Sequence, residues 1–305
     1  VSASARLSMA SLLHEQGEAG RALQVAQDIA GRPRAPSGAH LLQARIYLQK
    51  DLPRLAREHV NKVLSQNDDT NIEALAMAGR VELTLGRAEE AVGYLERAVN
   101  EASESPRLHF LLSTAHMQAG DEQAALSGLR RASKLAPESG EYHYRYGLAL
   151  ARAGRKEEAA SQFRQAAEKM DNPAQAYSRL GLLAHEKGEL DRARQHYARA
   201  LQLGPDQAVI AANNMAELLL SQEEDLDLAM ALAYSAYSNA EGESLRSDTA
   251  DTLTKALIAS GYRAQAVGAA RVAVEMRPED QARWIRLGIS QAAAGNGDAA
   301  EEALE

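Results

Sequence analysis

Gly86-Arg87-Ala88-Glu89-Glu90-Ala91 returns as Gly120-Asp121-Glu122-Gln123-Ala124-Ala125. It returns again as Gly154-Arg155-Lys156-Glu157-Glu158-Ala159 and as Gly188-Glu189-Leu190-Asp191-Arg192-Ala193. The closing alanine runs the length of the chain. Ala22, Ala56, Ala91, Ala125, Ala159, Ala193, Ala229, Ala266 and Ala300 follow one another at spacings of 34, 35, 34, 34, 34, 36, 37 and 34 residues. A long, nearly fixed period means stacked copies of one supersecondary unit, and 34 residues suits a helix–turn–helix.

The alanine sits in a wider pattern. Twelve residues upstream stands another small residue: Ala10, Ala44, Gly79, Ser113, Gly147, Gly181 and Gly288, with Ala216 (thirteen upstream) and Thr254 in the irregular copies. Seven downstream stands a compact apolar one: Ile29, Val63, Ala98, Ala132, Ala166, Ala200, Ala236 and Ala273. Between them, four downstream, come Val60, Leu95, Leu129, Phe163 and Tyr197. Helices approach closely only where side chains are small, so the alanines and glycines mark crossings and the larger residue fills the gap beside each one. Five before the alanine is a glycine in most copies (Gly17, Gly86, Gly120, Gly154, Gly188, Gly261, Gly295). Glycine accepts the left-handed backbone that ends a helix, which predicts a tight turn at each. Proline closes several copies, in Ala136-Pro137-Glu138, Gly204-Pro205-Asp206 and Arg277-Pro278-Glu279. It is expected in the first turn of the next helix, with the acids at the helix's positive end.

This pattern resembles the tetratricopeptide repeat (TPR) family over essentially the whole chain. Trp284-Ile285-Arg286-Leu287-Gly288 carries the family's aromatic–Leu–Gly opening. Asn213-Asn214-Met215-Ala216 and the acidic turn after it are similar to long TPR arrays of bacterial exopolysaccharide and PEP-CTERM export systems. The resemblance implies an all-α, right-handed solenoid over 1–305. It would hold eight full units (3–36, 37–71, 72–105, 106–139, 140–173, 174–207, 209–246, 247–280) and a partial ninth (281–305).

Composition agrees. Alanine supplies 61 residues and aromatics 4% of the chain, so the core is built from close helix contacts. There is no cysteine, which excludes disulfides, thiolate metal sites and cysteine nucleophiles and fits bacterial periplasm and cytoplasm alike. No apolar run reaches the roughly 18 residues of a membrane span. The chain starts at Val1 without a methionine and stops at Glu305 inside the second helix of copy nine, so it is expected to be a fragment of a longer protein.

The period stretches at 222–228 and 241–247. Residues 222–251 hold eight acids, Glu223, Glu224, Asp225, Asp227, Glu241, Glu243, Asp248 and Asp251, against the single base Arg246. That is −7 of the formal net charge of −8. The expectation is a solvated acidic pair of loops and a flexible seam at 222–247. The alternative is that Glu223, Glu224, Asp225 and Asp227 form an acidic edge that docks a basic partner. Glu-Glu-Asp-Leu-Asp lacks the ligand order of a calcium loop.

In the TPR family the first helix of each unit lines the concave face. Carried over by register, this puts Arg45, Arg80, Phe110, Tyr144, Arg145, Arg179, Asn213, Asn214, Lys255 and Arg286 in the groove. Met77, Thr114, Met117, Leu148, Arg152, Leu182, Glu217 and Ile285 accompany them. Arginine recurs in this set, and its planar fork of donors suits carboxylates and other anions. The groove is expected to hold a partner protein or peptide, or an acidic polysaccharide. The competing reading pairs these arginines with acids on the next helix, such as Glu73, Glu141 or Glu186.

No cofactor, metal or catalytic residue is expected. Gly295-Asn296-Gly297-Asp298-Ala299-Ala300 fits the outline of a dinucleotide fingerprint but falls at a repeat turn after a helix, where that motif has no strand to follow. His109 and His116 lie two helical turns apart without further ligands for zinc. The acidic balance argues against nucleic acid. The chain is therefore expected to be a non-catalytic scaffold or adaptor. The rival is a bacterial envelope module guiding an anionic polysaccharide or organising a secretion machine.

Overall fold

The computed structural model describes residues 2–32, 35–65, 70–204 and 208–305, and among these there is no β-strand. Pro205 and Asp206 lie outside the described residues. Helices fall two to a period. The first helices are α1 (Ala3–Glu15), α3 (Ser37–Gln49), α5 (Ile72–Thr84), α7 (Pro106–Gln118), α9 (Gly140–Arg152), α11 (Ala174–Glu186), α13 (Val209–Ser221), α15 (Glu243–Ala259) and α17 (Gln281–Ala293). The second helices are α2 (Ala19–Ala30), α4 (Pro53–Leu64), α6 (Ala88–Glu101), α8 (Glu122–Leu135), α10 (Lys156–Lys169), α12 (Leu190–Leu203), α14 (Leu226–Asn239), α16 (Arg263–Met276) and α18 (Gly297–Glu302).

The chain divides into two compact units, Val1–Gly154 and Arg155–Glu305. In the first, α1 with α2, α3 with α4, α5 with α6 and α7 with α8 form hairpins, and each second helix also packs on the first helix that follows it. In the second unit the same stacking runs from α10 onto α11 and on to α18. This is the all-α repeat architecture that the period predicts.

The marker residues are the core. Every periodic alanine is buried, as are the residues seven downstream and the small residues upstream that carry a side chain. The gap-fillers work as expected inside single hairpins. A Cβ built on Gly79 would come within 2.4 Å of Leu95 Cγ, and one on Gly181 within 2.5 Å of the Tyr197 ring. Glycine is thus required where the second helix drives a large side chain against the first. Thr254 and Ser113, which replace it, are also buried and satisfy their hydroxyls on Ala250 O at 2.8 Å and Phe110 O at 2.7 Å.

All seven predicted turn glycines have positive φ, from 73° at Gly86 to 85° at Gly295. Asp51 takes the same place in copy two at φ 55°. The prolines differ from expectation. Pro137 and Pro278 sit in the turns before α9 and α17, outside the helices, while Pro53 and Pro106 are the ones that begin a helix. The second insertion differs too. Residues 243–247 are not loop; they extend α15 to 17 residues, against 13 for every other first helix.

Candidate functional site

The exposed faces of the first helices carry the candidate residues, and their ion pairs sort them. In the first unit, Arg45 Nη2 on α3 donates to Glu73 Oε1 on α5 at 2.8 Å. Arg145 Nε donates to Glu141 Oε1 one turn back on α9 at 2.6 Å. In the second unit, Lys255 lies 2.9 Å from Glu217 and 3.1 Å from Asp251, and Arg286 also pairs with Asp251. Glu186 is taken by Lys156 at 2.7 Å rather than by an arginine of α11. The pairing with neighbouring acids therefore accounts for Arg45, Arg145, Lys255 and Arg286.

Arg80 is different. It is half-buried on α5, and among the described residues it has no ion-pair partner. Burial, with the guanidiniums of Arg107 and Arg45 nearby, pushes its pKa below the usual arginine range. Arg179, half-buried on α11, likewise has no ion pair among the described residues. Tyr144 and Asn213 are buried, at 7% and 8% exposure, and Met77 at 3%, so these side chains serve packing and leave little surface for a partner. Asn213 Nδ2 reaches Asn214 Oδ1 at 3.4 Å.

Phe110 lines a cleft of about 360 Å³ between α7 and α9, with Thr114, Met117, Arg145, Leu148 and Arg152 around it. The Tyr142 ring lies 5.6 Å from that of Phe110. A second cavity of about 470 Å³ in the other unit is lined by His185, Glu217, Leu220 and Lys255, where the charges already neutralise each other. Arg107 and Tyr142 escaped the reading by register. Arg107 occupies the position of Glu73 and Glu141 in the neighbouring copies, and that change of sign was the available signal.

Half of the acidic stretch, Glu224, Asp225, Asp248 and Asp251, is engaged. Glu224 pairs with Arg194 at 2.6 Å, and Asp248 with Arg277 at 3.1 Å and Arg283 at 2.6 Å. Asp225 caps α14 through Leu228 N, and both it and Glu223 have left-handed backbones at φ 36° and 54°. Glu223 and Asp227 remain exposed.

His109, His143 and the Trp284 indole each bond a carbonyl six residues back, on Ser103, Pro137 and Pro278, at 2.8, 3.0 and 2.8 Å. His116 lies 3.9 Å from Asp121. Among the described residues no three histidine or acidic side chains gather as metal ligands. The glycine motif at 295–300 forms the turn from α17 into α18. No described helix is long and apolar enough to cross a membrane.

A family model described as tetratricopeptide repeat matches residues 41–106, 76–132 and 110–173, and a second of the same description matches 174–207. No curated protein sequence matches significantly. Among solved structures, the C-terminal part of a TPR repeat-containing protein from Cytophaga hutchinsonii superposes with TM-score 0.62 at 13% identity, covering 79% of this chain and 98% of that one. PilF of Pseudomonas aeruginosa gives 0.61 at 18%, covering 74% and 98%. A chain of the APC/C Cut9–Hcn1 hetero-tetramer gives 0.57 at 13%, covering 92% and 58%. At these identities the likeness is one of fold.

Proposed function

Since this chain belongs to the tetratricopeptide repeat family, we propose that it is a non-catalytic scaffold that holds a partner protein or peptide against the exposed face of its first helices. TPR proteins generally act as protein-interaction scaffolds, and the Cut9–Hcn1 neighbour is a hetero-tetramer. The observation that carries the reading is the cleft between α7 and α9. Its mixture of apolar side chains with guanidinium donors suits peptide recognition, where apolar contacts supply area and a few polar groups fix orientation. A stack of repeats suits this task because each copy contributes a few side chains to one long surface with little internal rearrangement.

The rival, retention of an acidic polysaccharide, uses the cations and could stack a sugar on Phe110, but has little use for the aliphatic Met117 and Leu148. The test presents the immobilised chain with peptides displayed on phage and, separately, with an acidic glycan matrix. The scaffold reading expects peptides to be enriched and the glycan to be retained no better than by an unrelated protein of equal charge. Glycan retention that salt abolishes, with no peptide enriched, would overturn it.

A further inference from the structure

The inner faces of α3, α5 and α7 repeat one geometry with one change of sign. Arg45 lies eleven residues before its marker alanine, Ala56, and its partner Glu73 lies eighteen before Ala91. One copy on, Arg80 stands eleven before Ala91, and the residue eighteen before Ala125 is Arg107. The ion pair that joins α3 to α5 is thus replaced between α5 and α7 by two cations. Neither has an ion-pair partner among the described residues, α5 packs directly on α7, and burial, then Arg107, disfavours the charged form of Arg80.

Two like charges on packed neighbouring helices cost stability. The arrangement stops being costly once an anion lies between them, since a carboxylate can accept from both guanidiniums. The same face continues into the apolar cleft. On α7 the positions Arg107, Phe110, Thr114 and Met117 follow at helical spacing, so the cation pair and the cleft share one stripe. Arg152, also without an ion pair among the described residues, closes the far side of the cleft on α9.

Resting on the scaffold reading, we propose that the face of α5, α7 and α9 takes an acidic peptide: a carboxylate side chain bridges Arg80 and Arg107, and an apolar side chain beyond it enters the cleft of Phe110, Met117 and Leu148. The apolar cleft beside the cations favours a peptide over a glycan or a nucleic acid. In the second unit Lys255 and Arg286 are already held by Glu217 and Asp251, so the pair of uncommitted cations beside an apolar cleft belongs to α5 and α7.

The experiment selects random dodecapeptides on phage against the whole chain and titrates a fluorescent synthetic copy of the best against variants. Selected peptides should carry an excess of Asp or Glu next to a bulky apolar residue. Arg107→Glu should weaken binding on the order of tenfold or more, and Leu148→Asp should do the same by spoiling the apolar anchor. Arg107→Glu also restores the α3–α5 ion-pair pattern, so its melting midpoint should rise by about 1–3 °C. Loss of binding in a more stable protein cannot be loss of fold. Peptides with no acidic excess, or an affinity unmoved by Arg107→Glu, would overturn this proposal and leave the scaffold reading standing. No enriched peptide at all would overturn both. A lowered melting midpoint would refute the juxtaposition of Arg80 and Arg107.

Discussion

Replacing Gly181 by alanine adds one carbon at the crossing of α11 and α12. That carbon would lie 2.5 Å from both Cδ1 and Cε1 of Tyr197 and 3.2 Å from Cγ. Carbon atoms rest at about 3.5–4.0 Å, so the ring must retreat by roughly 1 Å. Tyr197 is fully buried, so the ring can retreat only by displacing its neighbours in the core. Overpacking of this kind costs about 1–3 kcal/mol, while Gly→Ala inside a helix returns about 1 kcal/mol. A stiff ring in a closed site puts the clash at the upper end, for a net loss of about 1–2 kcal/mol. Gly268, an exposed position on α16, has nothing within 4 Å of its built Cβ. There the same substitution should stabilise by about 0.5–1 kcal/mol. Urea unfolding of the two variants and the parent, followed by far-UV circular dichroism, should therefore give midpoints that move in opposite directions. If both substitutions stabilise equally, Tyr197 does not pack on Gly181 and the reading of the small residues as crossing points is wrong.

Other consequences can be measured on the same footing. Asp51→Gly should raise stability by up to about 1 kcal/mol in urea unfolding, because it relieves a left-handed backbone at φ 55° that the other copies give to glycine. Arg57→Met should cost about 1–2 kcal/mol in the same assay, since it leaves the buried Glu82 carboxylate with only Arg87 at 3.7 Å, and Glu82→Gln should cost less. His40 and His59 face each other with Nδ1 atoms 3.3 Å apart. Burial, then Lys62, holds both below the usual imidazole value, and His40 lowers His59 further. The unfolded chain therefore takes up protons first. Stability should be fully present above about pH 6.5 and fall as pH drops from there toward the folded-state values. Replacing both histidines by glutamine should flatten that slope in urea midpoints measured across the range, and an unchanged slope would remove the pair from the account.

The fold was legible because one pattern is written many times. A single buried alanine says little, but nine of them in register, each with its small partner upstream, allow few arrangements other than nested hairpins. The turn glycines were legible for a backbone reason that neighbours do not alter. The site was less so. Whether an arginine is free depends on which side chain faces it from the next helix, as Arg45 and Arg80 illustrate: the same register position meets Glu73 in one case and Arg107 in the other. Tyr144 and Asn213 read as groove residues by register, yet neighbouring helices bury them. The acidic stretch looked like two loops because charge was counted locally. Its partners Arg194, Arg277, Arg283 and Arg286 lie outside it in sequence, and part of the insertion simply lengthens α15.

The most direct test of the scaffold account is a map of where a partner touches the chain in its native cell. A photo-crosslinking amino acid is placed at Thr114, exposed on α7, and in a parallel strain at Glu96, exposed on α6. The account predicts a discrete polypeptide adduct from position 114, reduced by Arg107→Glu in the same chain, and none from position 96. Equal adducts from both positions, or an adduct from 96 alone, would contradict the claim that the first helices carry the interaction.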